Sequence, residues 1–155
     1  MSDPAPSAGR IEGREHQLPV RVYYEDTDFS GVVYHANYLR YFERGRSDFF
    51  RLVGIGHAAL LARPDPIAFT ILTMTVDFKR AARIDDALVV RTTYDSAKGP
   101  RLFVSQRITR GDELIAQASG VAACIDLQGR ARRPPAELLA ALSPLFVPQT
   151  LTGAP

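Results

Sequence analysis

Between Val20 and Tyr38 the chain sets Glu25, Asp26 and Asp28 in a short polar stretch, with His35 following. An aspartate has a reference pKa of about 3.9 and is ionised near neutral pH. Such a carboxylate can attack an electrophilic carbon or take a proton from water. Gly31 and the aromatics Tyr23, Tyr24, Phe29, Tyr34 and Tyr38 crowd the same stretch, a composition foreign to disordered linkers. Asn37 suits the N-cap of a helix beginning at Tyr38. Asp28 and His35 are then delivered near a helix N-terminus, where unpaired N–H groups and the macrodipole favour negative charge. A carbonyl oxygen that gains charge during attack is stabilised in such a place.

The elements that must position these residues follow from periodicity. Val20 to Tyr24 is β-branched and aromatic, a predicted first strand. Glu25 to Gly31 is a loop. Tyr38, Phe42, Phe49 and Val53 recur at helical spacing, with Leu39, Tyr41, Phe50 and Leu52 widening the stripe until Gly54 and Gly56 stop it. So broad an apolar face belongs to a helix buried on more than one side. Gly45 inside it costs roughly 1 kcal/mol against alanine, which a close helix–sheet approach explains. Four strands are predicted next: Ile67 to Lys79, Leu88 to Asp95, Arg101 to Thr109 and Leu114 to Leu127. Gly111-Asp112 turns the hairpin between the last two. A short helix over Ala136 to Leu142 follows Pro134-Pro135. The order gives an α+β class.

At 155 residues, with 46% hydrophobic and 23% charged residues, the chain fits one globular domain. A formal net charge of +2 is too slight to argue for nucleic acid or an anionic membrane surface. No apolar run is long enough for a membrane span, and the N-terminus lacks the order of a secretory signal. Cys124 is the single cysteine, so a disulfide within the chain and a cysteine metal cluster are excluded, and a reducing cytoplasm fits. Residues 1–17 read as a disordered arm, 18–142 as the domain and 143–155 as a flexible tail. Ile11-Glu12-Gly13-Arg14 also spells a protease-cleavage linker.

Asp26-Thr27-Asp28-Phe29-Ser30-Gly31-Val32-Val33-Tyr34-His35-Ala36-Asn37-Tyr38, then Tyr41-Phe42-Glu43-Arg44-Gly45-Arg46, resembles the 4-hydroxybenzoyl-CoA thioesterase family. The similarity is strongest to its YbgC-like branch, associated with the bacterial Tol–Pal system. Thr73-Met74-Thr75-Val76, Ala82-Arg83-Ile84-Asp85-Asp86 and Ser105-Gln106-Arg107-Ile108 extend it over about Leu18 to Pro135. The resemblance implies a hotdog fold, a five- or six-stranded antiparallel sheet wrapped around a long helix. It implies acyl-CoA thioester hydrolysis with no cofactor and no metal, in dimers or tetramers whose sites lie at the subunit interface. Asp28 takes the catalytic position, as nucleophile or as general base. The backbone N–H at His35 polarises the carbonyl, and the His35 side chain is an even candidate for a direct role. Acyl carrier protein and Tol–Pal-linked proteins are implied as partners. Two other readings stay open: a hotdog dehydratase, which the Asp-Thr-Asp block disfavours, and a scaffold role beside Tol–Pal or phospholipid synthesis.

Lys98 and Arg101 flank Gly99-Pro100, and in this family basic residues around that loop hold coenzyme A phosphates; an ordinary solvated turn is an equal alternative. Phe69, Thr70 and Ile71 are expected in the acyl pocket wall. Arg130, Arg132 and Arg133 form a second basic cluster, more in keeping with exposed surface. Asp26 is expected to bind the loop backbone, Asp85-Asp86 to make a turn, and Cys124 to be buried.

Overall fold

The structure is a computed structural model in which residues 1–148 are described. The long helix α1, His35–Leu52, lies against one face of a six-stranded antiparallel sheet. The strands are β1 Arg10–Glu12, β2 Glu15–Arg21, β3 Ile67–Phe78, β4 Ala87–Lys98, β5 Arg101–Arg110 and β6 Glu113–Asp126, in the order β1-β2-β4-β5-β6-β3. Two short helices, α2 His57–Leu61 and α3 Ala136–Leu142, complete the fold. This is the hotdog arrangement, with β3 left at one edge.

The wide apolar stripe of α1 is buried as its width demands. Tyr41, Phe42, Phe49 and Phe50 sink against Leu88, Val90, Tyr94, Leu102, Val104 and Ile108, the inward positions of β4 and β5. Burying each such side chain contributes about 1.5–3 kcal/mol. Gly45 makes the approach possible. A Cβ there would sit 2.8 Å from Val90 Cγ1 and 2.9 Å from Thr92 Oγ1. Gln106 fastens the contact by donating its amide to the Phe42 carbonyl, at 2.8 Å, and to Thr92 Oγ1, at 2.9 Å. Cys124 is buried, and the four long strands and α3 lie within a few residues of the expected bounds.

Four local expectations are corrected. Residues 10–17 are not a loose arm, because they form a β-hairpin turned at Gly13, whose φ is +63°. Its register puts His16, Leu18 and Val20 inward, and the polar His16 hides that alternation in the sequence. His16 tolerates burial because its Nε2 meets Asp48 Oδ2 of α1 at 2.7 Å, while the Gly9 N–H donates to the same oxygen at 2.8 Å. The strand also ends at Arg21, before Tyr24. At the other terminus Ser143–Leu145 adds a helical turn, and the Val147 N–H donates to the Tyr94 carbonyl at 3.0 Å. The rest of the expected tail, 149–155, lies outside the described residues.

The fourth correction concerns Asn37. Helix α1 begins three residues early, with Tyr34 as N-cap and no side chain capping it. Asn37 instead lies in the first turn, and its side chain donates to the Asp26 carbonyl at 2.8 Å. It ties the loop to the helix rather than ending the helix.

Candidate active site

The loop between β2 and α1 is built from its own polar groups. Asp26 is buried and its carboxylate accepts the Tyr23 N–H at 2.8 Å, while its carbonyl accepts the Tyr34 N–H at 2.9 Å. Thr27 pairs with Val33, and beyond that bridge the Asp28 N–H donates to the Val32 carbonyl at 2.9 Å. The turn closes when the Gly31 N–H donates to the Asp28 carbonyl at 3.0 Å. Gly31 has φ +81°, a left-handed conformation that suits glycine. On the far side the Val33 N–H donates to the Ala82 carbonyl at 2.8 Å, which anchors the turn to the β3–β4 connection. Asp28 therefore stands at the tip of a small hydrogen-bonded hairpin.

Both donors of Ser30, its N–H at 2.8 Å and its hydroxyl at 2.5 Å, reach Asp28 Oδ1. Oδ2 is the freer oxygen. Hydrogen bonds from the Ser30 side chain, then from the Ser30 and Val32 backbone, hold the carboxyl below the ordinary aspartate value. The half-buried side chain is thus an anion at neutral pH, with both Ser30 donors on Oδ1 and none on Oδ2. His35 opens α1, exposed, with its ring 4.5 Å from Tyr34 and 6.3 Å from Phe78. With no side-chain cap on α1, the N–H groups of His35 and Ala36 remain donors next to this loop, while that of Asn37 goes to the Tyr34 carbonyl at 2.8 Å. Such an arrangement offers a fixed anion and a positive helix end within one short segment.

The other expected residues lie elsewhere. Lys98 and Arg101 face each other across the β4–β5 turn, where Gly99 has φ +57°. Arg101 pairs with Ala123, which pairs in turn with Thr70. That row is one end of the sheet. The Asp28 loop is at the other end, near Phe78 and the start of β4. Along β4 the separation from Ala87 to Lys98 is about 36 Å of strand, so one chain does not bring the basic turn to Asp28. Phe69 and Ile71 do line a cavity, together with Phe50 and Tyr94 of the core. Thr70, between them, is not among its lining residues and faces away with the strand alternation.

Arg130 and Arg132 both bind the buried Asp126, at 3.0 and 3.2 Å, and so are structural. Asp86 caps the Arg83 N–H and accepts Arg110 at 2.7 Å, as a turn residue would. Sequence reasoning missed the contact of Ser30 with Asp28, although a serine two residues after an aspartate is the ordinary signature of such a turn. It also missed Arg46 and His57 in the cavity. Among the described residues no three His, Cys, Asp or Glu side chains gather as a metal site would require, and no helix is long and apolar enough to cross a membrane.

Comparison with known proteins agrees with this architecture. The family model described as the thioesterase-like superfamily matches residues 22–142. The acyl-CoA thioesterase YbgC of Haemophilus influenzae is 42% identical over 110 residues, covering 71% of this chain and 80% of the relative. The acyl-CoA thioester hydrolase YbgC of Escherichia coli O6:H1 is 40% identical over 124 residues, 79% and 91% of the two chains. A crystal structure of a probable thioesterase from Bartonella henselae superposes with a TM-score of 0.76 at 40% identity, covering 78% of this chain and 99% of that one. With most of its length matched in sequence and in fold, the chain belongs to the thioesterase-like superfamily of hotdog proteins.

Proposed function

We propose that the protein hydrolyses acyl-CoA thioesters to a free acid and coenzyme A, with Asp28 as the reacting carboxylate. The observation that carries this is the ionised, half-tethered carboxylate of Asp28 in the loop that leads into an uncapped helix end. Two routes use the same atoms. In one, Asp28 Oδ2 attacks the thioester carbonyl, the C–S bond breaks, coenzyme A leaves as thiolate and water hydrolyses the mixed anhydride. In the other, Oδ2 takes a proton from a water that attacks the carbonyl directly. In both, negative charge builds on the carbonyl oxygen, and the first backbone N–H groups of α1, that of His35 foremost, are the donors to receive it. A thiolate leaves readily, so no strong acid is needed opposite Asp28. A CoA substrate and one buried, unpaired cysteine fit work in the cytoplasm.

The site is completed by a second copy of the chain. Strand β3 is a sheet edge twelve residues long, with exposed Ile71 and Leu72, and such an edge calls for a partner. Antiparallel pairing of β3 with its two-fold mate reverses the ends. The basic turn at Lys98 and Arg101 of one copy then lies on the same side of the assembly as Asp28 of the other. This supports a phosphate-binding role that one chain alone does not provide, and makes the dimer the functional unit.

The test is thiol release from a panel of short, long and aromatic acyl-CoAs. Turnover well above the uncatalysed rate with at least one member is expected. No hydrolysis of any member by folded protein would overturn the proposal.

A further inference from the structure

Between α1, α2 and the sheet lies a cavity of about 90 Å³. That is room for about three water-sized groups. Phe50, Phe69, Ile71 and Tyr94 make it mostly apolar, and Arg46 and His57 enter it as polar side chains. Burial holds His57 below the ordinary histidine value, so it is neutral at pH 7. Arg46 is the unusual member. Its guanidinium donates to Gln106 Oε1 at 3.0 Å. The Gln106 amide nitrogen is committed to the Phe42 carbonyl and Thr92 Oγ1, so only its oxygen can face the arginine.

A guanidinium carries five N–H donors, and Gln106 answers one. No carboxylate lies within 4.0 Å of Arg46 among the described residues. Glu43 stands exposed at the cavity rim, and its carboxylate accepts the Ser47 hydroxyl instead. Burial pushes Arg46 below the ordinary arginine value, partly offset by Tyr94 and Glu43. Arg46 is thus a half-buried cation at the wall of a mostly apolar cavity, with donors to spare beyond the one given to Gln106. An oxygen acceptor entering the cavity would satisfy it.

We propose that this cavity receives the far end of the acyl group, and that Arg46 selects acyl groups ending in an oxygen acceptor over methyl-ended groups of equal length. The inference rests on the reading of Asp28 as the catalytic carboxylate of a β3-paired dimer. Within one chain Arg46 is eleven residues beyond His35, about 16 Å along α1, too far for a short acyl group held at Asp28. Two-fold pairing of β3 turns the Ile71 end of one copy toward the Phe78 end of the other. The cavity of one copy thereby serves Asp28 of its mate.

The test compares kcat/KM for valeryl-CoA, 4-hydroxybutyryl-CoA and succinyl-CoA, each corrected for uncatalysed breakdown. Valeryl ends in a methyl where 4-hydroxybutyryl ends in a hydroxyl, and succinyl carries a carboxylate. At least one oxygen-ended substrate should exceed valeryl-CoA by about tenfold or more, the scale of one charged hydrogen bond. Preference for succinyl alone identifies the carboxylate, and preference for both identifies the shared acceptor. In Arg46→Met the ratio should collapse toward one. Wild-type protein that handles valeryl-CoA as well as both others overturns the inference, whether or not the variant folds. Full activity in Asp28→Asn would instead overturn the reading of the catalytic site, so the two failures are distinct.

Discussion

Ser30 gives both its backbone N–H and its hydroxyl to one oxygen of Asp28, at 2.8 and 2.5 Å. The pair tethers the carboxylate through Oδ1, leaves Oδ2 without a Ser30 donor and favours the ionised form. Because the Asp28 pKa is lowered, the anion persists as pH falls past the ordinary aspartate value of 3.8. The acid limb of kcat/KM should therefore lie below that value, with no loss between pH 5 and 7 from this group. In Ser30→Ala the limb should move up toward 3.8, while the rate at pH 7 falls by less than about tenfold, since Asp28 is still ionised there. An unchanged limb in the variant would show that Ser30 does not tune the carboxylate.

Helix propensity and packing pull Gly45 in opposite directions. Alanine would gain roughly 1 kcal/mol in an exposed helix. Here its Cβ would meet Val90, Thr92 and Gln106 at 2.8, 2.9 and 3.2 Å. Overpacking of this kind costs typically about 1–3 kcal/mol, and two of the three contacts are with stiff β-branched residues. Gly45→Ala should lower the denaturant midpoint. A rise would mean the sheet yields more easily than this packing implies.

The basic turn and Asp28 occupy opposite ends of one chain, which makes subunit mixing informative. Lys98→Ala with Arg101→Ala should raise KM for acyl-CoA more than it lowers kcat, because phosphate contacts supply uniform binding. The matching acyl-pantetheine, which lacks the nucleotide phosphates, should be nearly indifferent to the change. Equal damage to both substrates would make the turn a structural element only.

Mixed dimers test the same geometry in another way. Chains carrying Asp28→Asn are mixed with chains carrying the double turn variant, after unfolding and joint refolding. If the site is shared between subunits, one site in each mixed dimer is intact and a low-KM component returns. If each chain holds its own complete site, no low-KM component appears.

Much of this was legible in the residues themselves. The wide stripe from Tyr38 to Val53 required a helix buried on several sides, and the alternation after Ile67 required strands. The Asp28 loop announced itself by composition, and Gly31 by its place in the turn. His16 was opaque because a buried histidine reads as polar until Asp48 is placed beside it, thirty-two residues on. Asn37 misled because capping and loop-tethering draw on the same short amide. The separation of Lys98 from Asp28 was hidden for another reason. Strand length fixes which end of a sheet a turn occupies, and the family resemblance had suggested a joint role without saying in which subunit.

The most direct measurement compares turnover of Asp28→Asn with that of Asp26→Asn, each with its melting temperature. Asp28→Asn removes the charge and keeps size, so the Ser30 hydroxyl and N–H can still find an oxygen acceptor. Asp26→Asn keeps an acceptor for the Tyr23 N–H, 2.8 Å from the present carboxylate. If Asp28 reacts with the thioester or its water, its variant should lose at least about 10²–10⁴-fold in turnover, the scale of a lost acid–base group. The Asp26 variant should lose far less. An Asp28→Asn protein that melts like the parent and retains most of its turnover would contradict the account.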